Sequence, residues 1–593
     1  MIEYKAPVKD MMFLMESIQQ QTSLLDNPAF EDYTPDLVGQ ILEEAGKFAT
    51  GVLSPICQQG DEQGCKLEDG KVITPDGWLD AYQQFCDNGW MGLAMPMDFG
   101  GQGLPRFISS SVNEMWLASN LPFILFHALH QGASEILEHF GTDEQKAKYL
   151  EPIVTGQWSV TMALTEPNAG SDLANTRTKA TPQGDGTYKI QGQKIFITFG
   201  DHEMAENIVH LVLARTPDAP AGSRGISLFA VPKFRINADG SLGEPNDVIC
   251  SGLEHKMGMH GSPTCSMNYG DNDDCYGELI GEENKGLMAM FVLMNEARLS
   301  TGMQGVAAGQ VSYQRSLQYA IERTQGAHYA SGERVSIVEH PDVQRMLLSI
   351  YSQTMGMRAL GMLIAALIDL GDHSEDKDAA KAAKARVALL TPIFKAYATE
   401  QGNLMTGQCI QIYGGMGFVE ETGVAQMARD IRITTIYEGT TGIQARDLVF
   451  RKILMDQGGA LQSLLTEVRA EADQLAASSN PALVALSSGL IKALDSTSSA
   501  IDQLLTDKDN LLRLHAGSVP LLDALGTLLT GWQLAVSAGK ANAKVEQGDD
   551  PVYHGNQIAL ASFYFAHQMP KVAALFESAA QAEQGLAAFS FQD

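Results

Sequence analysis

A block of short β-strand patterns between two long helical regions is the feature that most constrains the fold of this chain. The segments VTMALTE, KIFITFG, NIVHLVLART and GISLFAVPK are rich in β-branched or aromatic residues and are separated by Gly, Pro and Asp, all within residues 159–285. Short strands with turn residues at this spacing are typical of an antiparallel sheet. We therefore predict a central antiparallel β domain with helical domains before and after it.

Apolar residues recur at helical spacing on both sides of this block. Three long segments after it, 288–318, 343–370 and 379–405, together with a helix after Glu438, predict a four-helix bundle. A chain of 593 residues is too long for one hydrophobic core. The predicted divisions are a leader (1–35), an N-terminal helical domain (36–158), the β domain (159–285), the bundle (286–455) and a helical tail (456–593).

The charge balance argues against nucleic acid and anionic membranes as partners. The formal net charge is −30 and the pI is near 4.8, whereas phosphate backbones are bound by clustered Lys and Arg. An acidic chain can still bind a small anion, because a few local cations or helix N-termini suffice. The composition therefore favours a small-molecule enzyme over a nucleic-acid-binding protein.

Location and metal content are predicted from the cysteines and the apolar segments. The seven cysteines include no CxxC pair and no zinc spacing, which predicts reduced thiols and no metal site. The N-terminal residues do not resemble a secretory signal. The apolar stretch 519–538 is interrupted by Asp523 and Gln533, so we predict no membrane insertion and a cytoplasmic protein.

A single carboxylate stands in an unusual setting at Glu438. A β-branched, largely apolar segment precedes it, and Gly439, Thr440, Thr441 and Gly442 follow. A lone Glu in such a place is usually a helix N-terminal carboxylate favoured by the macrodipole. A carboxylate partly removed from water has a raised pKa, however, and can serve as a general base.

The stretch IYEGTTGIQ (436–444) resembles the signature of the acyl-CoA dehydrogenases, whose catalytic base is the Glu of YEGT. Further segments resemble the same family in the same order. They are LTEPNAGSD (164–172), KIFITFG (194–200), LMNEARLSTG (293–302) and CIQIYGGMGF (409–418). The resemblance covers about residues 40–450 and implies that Glu438 is the catalytic base.

This resemblance implies an FAD site spread over the β domain and the bundle. The residues implied to contact the cofactor are Met162, Leu164, Thr165, Gly170, Ser171, Phe196, Ile197, Thr198, Arg323, Gln411, Gly414, Gly415 and Thr440. An aromatic at 196 can stack beside the flavin ring, and the Thr198 hydroxyl can bond its edge.

The acyl-CoA substrate is implied to contact a second set of residues. These are Ser171, Asn295, Arg298, Tyr437 and Gly439. A branch of the family carries its base one position before this Arg, where this chain has Ala297, which leaves Glu438 as the base. Glu296 should point elsewhere, since adjacent helical residues diverge by about 100°.

Three departures from the family pattern affect FAD contacts. Phe199 stands where Asn is usual, and Gly442 stands where Gln is commoner. ERTQG (322–326) keeps Arg323 but loses the aromatic residue of the family motif, and the loop 324–341 after it is longer than usual.

The implied fold has an N-terminal helical domain, a β-barrel-like middle domain and a C-terminal four-helix bundle, with an extra helical tail as in a large bacterial branch. In the implied reaction Glu438 removes the α-proton of an acyl-CoA while the β-hydrogen leaves as hydride to flavin N5, giving the trans-2-enoyl-CoA. An electron-transfer flavoprotein then accepts the electrons, and the enzyme is a homodimer or a dimer of dimers. Short or medium acyl chains are expected, including a thioether acid, which points to fatty-acid β-oxidation or dimethylsulfoniopropionate degradation.

Alternatives remain open at this point. A long-chain acyl-CoA dehydrogenase or an acyl-CoA oxidase that uses O2 would share these motifs. A DNA-associated flavoprotein of the alkylation-response type shares the fold and is disfavoured by the acidic charge. A non-catalytic assembly protein is disfavoured by the presence of Glu438 and Thr440.

Overall fold

Helices dominate the structure, a computed structural model that describes residues 4–590. The α-helices are α1 Val8–Thr22, α2 Pro35–Phe48, α3 Cys57–Gln63, α4 Trp78–Asp87, α5 Arg106–Ser119, α6 Leu121–Phe140, α7 Asp143–Thr155, α8 Gly286–Glu322, α9 Pro341–His373, α10 Lys377–Tyr413, α11 Val424–Ile431, α12 Thr441–Asp447, α13 Gly459–Ala476, α14 Pro481–Thr506, α15 Leu511–Glu546, α16 Pro551–His567 and α17 Lys571–Ala580. The strands are β1 Lys66–Glu68, β2 Lys71–Ile73, β3 Trp158–Ala163, β4 Lys179–Pro182, β5 Thr187–Thr198, β6 Asn207–Ala214, β7 Ser227–Pro232, β8 Phe234–Ile236, β9 Leu242–Pro245, β10 Val248–Leu253, β11 Thr264–Tyr269, β12 Tyr276–Ile280, β13 Thr324–Ala327 and β14 Arg334–Ser336.

The chain divides into two compact units. We call Lys47–Pro105 with Ser119–Ser300 the β unit. The helical unit combines the residues up to Gly46, Arg106–Ala118 and the residues from Thr301 onward. Each unit is described by itself below.

An eight-stranded sheet forms the centre of the β unit. Its strand order is β10-β11-β5-β12-β7-β6-β3, and β4 pairs with β5. The prediction of a wholly antiparallel sheet is wrong at one edge, because β3 runs parallel to β6 in register from Trp158–Asn207 to Ala163–Val212. Parallel neighbours need a long connection, and here the chain forms β4 and β5 before it returns as β6.

Two helices of the β unit, α6 and α7, follow each other closely in the chain. Helix α6 ends at Gly141, and Thr142 caps α7 through a reciprocal capping box with Gln145. Each side chain there satisfies an orphan backbone N–H of the helix start. One face of α6 is fully buried with α7, β3, β6 and β7 in a single apolar cluster.

The helical unit contains the predicted long helices α9 and α10 and the part of α8 from Thr301 onward. The helix predicted after Glu438 is also present: α12 has 7 residues and continues directly as the π-helix Leu448–Ile453. Helix α15 of the tail packs in addition against α9 and α10: a Cβ on Gly356 would lie 2.5 Å from Thr530, and one on Gly526 would lie 2.3 Å from Tyr397. The tail therefore adds a further long helix to this core.

Two described helices, α9 and α15, are long and apolar enough by composition to cross a membrane. This differs from the expectation for residues 519–538, which lie within α15. The apolar windows of both helices are mostly buried inside the protein, 83% and 78% respectively, as in core helices of soluble proteins. Absence of membrane insertion stays a prediction.

Acid should destabilise the β unit through three buried histidines. Burial lowers the pKa of His130 to about 4 and the pKa values of His202 and His210 to about 3. The stabilisation is therefore present above pH 6.5 and is lost as the pH falls, because the unfolded chain binds protons that the folded state excludes. We expect each histidine to cost about 2 kcal/mol of unfolding free energy between pH 6.5 and pH 5.

Urea unfolding at pH 7.5 and pH 5 measures this loss. His210→Gln can keep a hydrogen bond to Tyr269, which lies 2.9 Å from the imidazole Nδ1, and should flatten the pH dependence. The same change at the exposed His255 is the control. A pH dependence that is equally steep in His210→Gln and in the wild type would contradict the assignment.

Candidate active site

The backbone at Glu438 is strained. Its φ is +55°, in the left-handed region, and Gly439 follows with φ +89°. A non-glycine residue in this region costs ~1–2 kcal/mol, and such residues persist where the surrounding structure fixes them, often at functional sites. Glu438 lies before the start of α12, whose N-cap is Thr440. The usual role of a first-turn helix carboxylate therefore does not apply to it.

Side chains from two helices hold the carbonyl groups of this turn. The buried ammonium of Lys395 on α10 donates to the carbonyl oxygens of Thr434, Tyr437 and Gly439 at 2.9, 2.9 and 2.7 Å. The Nε2 of Gln444 on α12 donates to the carbonyl oxygen of Glu438 at 3.0 Å. The carbonyl groups of residues 437, 438 and 439 are therefore all bonded to side chains.

Hydroxyl groups secure the two ends of the same turn. The Tyr437 hydroxyl donates to the Oε1 of Gln304 on α8, and burial raises the pKa of this tyrosine. The Thr440 hydroxyl accepts from the N–H of Ile443 and caps α12. The Thr441 hydroxyl donates to Glu400 at 2.6 Å. Tyr437 thus keeps its predicted place beside the base, with its hydroxyl already bonded inside the protein.

The tail reaches this region through α15. Burial, followed by the charge of Glu400, raises the pKa of Asp523 on α15 to about 6. Glu400 in turn accepts the hydrogen bond from Thr441, three residues after the predicted base. Asp523 and Glu400 thus form an acidic pair behind α12.

Other implied cofactor residues of the helical unit lie on exposed backbone. Gly414 has φ +60° at the end of α10, and a Cβ on Gly414 or Gly415 would meet no atom within 4 Å. Gln411 and Arg323 are also exposed. The loop after Arg323 is ordered as a hairpin of β13 and β14. The backbone here leaves open space for a ligand.

A β-bulge shapes the implied flavin-facing part of the β unit. In β5, Ile195 and Phe196 oppose a single residue of β11, because the register shifts between Cys265 and Met267. Phe196 has φ +59° and is 58% exposed. Bulges re-aim side chains, and this one turns an aromatic ring into solvent. A ring placed this way can stack on a ligand, as predicted.

The three residues after Phe196 are less exposed than Phe196 itself. The side chain of Ile197 is fully buried in the core of the sheet, so a contact of Ile197 with the cofactor would be made by its backbone. Thr198 is half-buried. Phe199, which replaces the usual Asn, has φ +51° and packs edge-on against Phe126 with ring centroids 5.7 Å apart. The substitution adds to the core instead of forming a polar contact.

A buried ion pair anchors the loop 164–172. The Lys194 ammonium, fully buried, donates to the carbonyl oxygen of Leu164 and to the carboxylate of Glu166, each at 2.9 Å. Burial lowers the pKa of Lys194 to about 8, and the Glu166 carboxylate opposes that shift. Burial would raise the pKa of Glu166, but Lys194 and hydrogen bonds from Thr178 and the Arg177 N–H hold it below its usual range.

This anchor brings the loop to the bulge. The N–H of Ile195 donates to the carbonyl oxygen of Thr165 at 2.9 Å. Met162 and Thr165 are half-buried, and a Cβ on Gly170 would meet no atom within 4 Å. Thr165 thus lies beside the bulge that carries the exposed Phe196, and Leu164 is bonded to Lys194 on the same strand, whereas Ser171 is exposed at the end of the loop.

The implied CoA-binding residues lie at the start of α8. The Nε of Arg298 is buried and has no hydrogen-bond partner among residues 4–590, which suits a group that binds a polar ligand. Asn295 is exposed, and Ala297 is buried in the apolar cluster with α6. A base at position 297 is thus absent, as predicted.

The sequence analysis missed the residues that position these segments. Lys194, Glu166, Lys395 and Gln444 contact the motif backbones. Lys194, Glu166 and Gln444 lie inside quoted motifs and Lys395 lies within α10, but a buried lysine cannot be recognised from spacing alone. The segments TEPNAGSD and YEGTTG did give a usable signal for such residues. Their irregular backbones need hydrogen-bond partners from elsewhere in the chain.

Comparison with known proteins decides the family. Models of the acyl-CoA dehydrogenase N-terminal, middle and C-terminal domains match residues 38–157, 161–271 and 284–454, and an acetyl-CoA dehydrogenase C-terminal-like model matches 464–590. The chain is 43% identical to the 3-methylmercaptopropionyl-CoA dehydrogenase of Ruegeria pomeroyi over 95% of this chain and 96% of that protein. The chain belongs to the acyl-CoA dehydrogenase family.

More distant acyl-CoA dehydrogenases agree with this. The chain is 35% identical to a butyryl-CoA dehydrogenase of Syntrophomonas wolfei, covering 96% of this chain and 95% of that one. It is 31% identical to a caffeyl-CoA reductase-Etf complex subunit of Acetobacterium woodii, over 62% and 88% of the two chains. Acyl-CoA dehydrogenase structures from Bacillus anthracis (TM-score 0.75, 21% identity, 96% and 90% covered) and Caenorhabditis elegans (0.76, 20%, 100% and 96%) share the fold.

The family assignment confirms the predicted fold class and cofactor. The chain is an oxidoreductase that acts on an acyl-CoA and uses FAD. The residues present fit this group: the exposed Phe196 ring offers a stacking surface, the half-buried Thr165 and Thr198 offer hydroxyl groups, and Gly170 and Gly414 leave open backbone.

Removing the Lys194 ammonium should release the loop 164–172 from the bulge. Lys194→Met leaves Glu166 buried without its cation, which costs about 3–5 kcal/mol in such pairs. We expect a lower melting temperature and less FAD bound per chain, read from the flavin absorbance. Lys189→Met on the same strand is the matched control, because its partner Asp273 is exposed and exposed ion pairs contribute little to stability. Full FAD occupancy in Lys194→Met would contradict this anchoring role.

Proposed function

We propose that Glu438 is the catalytic base of this acyl-CoA dehydrogenase and that short acyl-CoA thioesters are its substrates. The observation that carries the assignment is the strained turn at Glu438, whose flanking carbonyl groups are all fixed by side chains. A structure that keeps one carboxylate in a costly conformation and secures both of its peptide neighbours is suited to placing that carboxylate accurately.

The chemistry needs a positioned base because the α-hydrogen of a thioester is only weakly acidic. Glu438 takes the α-proton onto its carboxylate, and the electron pair of that C–H bond forms the double bond as the β-hydrogen departs with its own pair. Bound FAD supplies the acceptor for that hydride. The product is the trans-2-enoyl-CoA.

Polar groups on the segments that the family resemblance implies contact the substrate serve substrate binding in this proposal. The unpartnered Nε of Arg298 binds the CoA portion, and the exposed Asn295 and Ser171 lie on the segments implied to contact it. Gly439 has no side chain to obstruct an approach of the thioester to the turn. Tyr437 closes one side of the base as a neutral phenol, since burial raises its pKa.

The names of two relatives and one close approach between helices support short acyl chains as substrates. The relatives with high coverage are named for 3-methylmercaptopropionyl-CoA and butyryl-CoA. In the β unit, α6 and α8 approach so closely that a Cβ on Gly132 would lie 2.5 Å from Leu293. We propose that these two helices line the acyl pocket, where a tight approach favours a short acyl chain, including one with a thioether at its end.

An electron-transfer flavoprotein is the proposed electron acceptor, and a homodimer or dimer of dimers is the proposed assembly. The named role of the Acetobacterium woodii relative in an Etf complex supports the first. The exposed implied cofactor residues Arg323, Gln411 and Gly414 support the second, because a neighbouring subunit can cover them. The cytoplasmic location stays a prediction.

Glu438→Gln should keep bound FAD and lose at least ~10³-fold in the rate of flavin reduction, since the change preserves shape and deletes the base. Stopped-flow mixing with butyryl-CoA under anaerobic conditions measures the rate per bound flavin. Glu421→Gln, at an exposed position of the same unit, is the control. Wild-type reduction by Glu438→Gln would end the assignment and direct attention to Glu296.

Chain-length preference can be tested on the same instrument. We expect the flavin band to bleach fastest with four-carbon and methylthio-propionyl thioesters and progressively more slowly with eight- to sixteen-carbon chains. Fastest bleaching by the sixteen-carbon thioester would instead establish a long-chain enzyme. Fast reoxidation of the reduced enzyme by O2, without a flavoprotein acceptor, would establish an oxidase.

A further inference from the structure

Lys395 carries a buried charge that the mechanism proposed above does not use. Its side chain is fully buried on α10, as are the neighbouring Ile393, Phe394 and Ala396 in the sequence. Burial of an ammonium is costly unless acceptors surround it. Three backbone carbonyl groups meet that need here, and they match the three donors of an ammonium group.

The three acceptors come from one short stretch of chain around the base. The carbonyl of Thr434 ends the turn that leads into the site, and those of Tyr437 and Gly439 stand on either side of Glu438. A single side-chain atom therefore connects the lead-in, the residue before the base and the residue after it.

The direction of the Glu438 side chain follows from the two peptide planes that meet at its Cα. The plane between residues 437 and 438 is held through the Tyr437 carbonyl by Lys395. The plane between 438 and 439 is held through the Glu438 carbonyl by Gln444. Because peptide units are planar, fixing both planes fixes φ and ψ of residue 438 and hence its Cα–Cβ bond.

These hydrogen bonds stabilise a turn conformation that is otherwise unfavourable. The left-handed backbone of Glu438 is unfavourable for a residue with a Cβ. The Tyr437 N–H bonds the Ile433 carbonyl oxygen at 3.1 Å and so ties the lead-in, while the carbonyls of residues 437, 438 and 439 bond the side chains of Lys395 and Gln444.

We infer that Lys395 is the positioning residue of the catalytic base: its ammonium holds the backbone on both sides of Glu438, so that the carboxylate is aimed before the substrate arrives. This inference rests on the proposed role of Glu438. It assigns Lys395 no contact with substrate or cofactor.

Two variants test it in the FAD-loaded enzyme. Lys395→Met removes all three donors. Lys395→Arg keeps the charge, but a planar guanidinium cannot donate to the same three converging acceptors. Lys384→Met, on an exposed stretch of the same helix, is the matched control. Rates of flavin reduction are expressed per bound FAD, so that a loss of folded or loaded protein does not count.

We expect both variants at Lys395 to reduce the maximal rate of flavin reduction, about 10²-fold for Lys395→Met because a base displaced by about 1 Å loses that much. The substrate concentration at half-maximal rate should stay near the wild-type value. Butyryl-CoA with deuterium at the α-carbon should show a larger isotope effect than in the wild type. The isotope effect measured with butyryl-CoA that carries deuterium at the β-carbon should change less, because only proton removal is impaired.

If Lys395 had a purely structural role, the variants would give different results. Their melting temperature or FAD content would be lower while the rate per flavin and both isotope effects stayed at wild-type values, and that outcome overturns the inference. Should Lys395→Met not fold, Lys395→Arg decides by the same criteria. Glu438→Gln is run in the same series: normal turnover in that variant defeats the proposed function, whereas a dead Glu438→Gln beside fully active Lys395 variants defeats only this inference.

Discussion

Buried lysine ammonium groups bonded to backbone carbonyls are the interaction on which both signature segments depend. Lys194 bonds the carbonyl of Leu164 in the β unit, and Lys395 bonds three carbonyls around Glu438 in the helical unit. Each charge is taken out of water, which is tolerated only where acceptors are already in place. The same arrangement therefore fixes an irregular loop and gives it a single conformation.

The two lysines hold different kinds of segment. Lys194 has Glu166 within 2.9 Å, so the loop 164–172 is closed around an ion pair that also bonds Thr178 and the Arg177 N–H. Lys395 bonds carbonyl groups that lie on both sides of the base. The first arrangement shapes a binding loop, whereas the second controls the direction of one carboxylate. This difference agrees with a cofactor-side role for the loop and a catalytic role for the turn.

Motif residues could be predicted from the sequence, but their supports could not. Glu438 and the loop 164–172 stand out because their sequence motifs are specific. In the structure both have an irregular backbone, which those motif residues accommodate. Lys395 reads as one polar position in a long helix, and only tertiary contacts show that it is buried. The parallel pairing of β3 with β6 and the packing of α15 on α9 escaped prediction for the same reason, since both are set by which distant segments meet. The bulge at Phe196, which exposes that ring and leaves the next side chain, Ile197, buried, likewise depends on the pairing with a distant strand.

The central claim is that the carboxylate of Glu438 is held in place to take the α-proton. A crystal structure of the FAD-bound enzyme with an acyl-CoA analogue that cannot lose a β-hydride tests it most directly. The account predicts a Glu438 carboxylate oxygen about 3–3.5 Å from the α-carbon, with the Lys395 bonds to the turn intact. A different carboxylate at the α-carbon, or a Glu438 side chain turned away from it, would contradict the account.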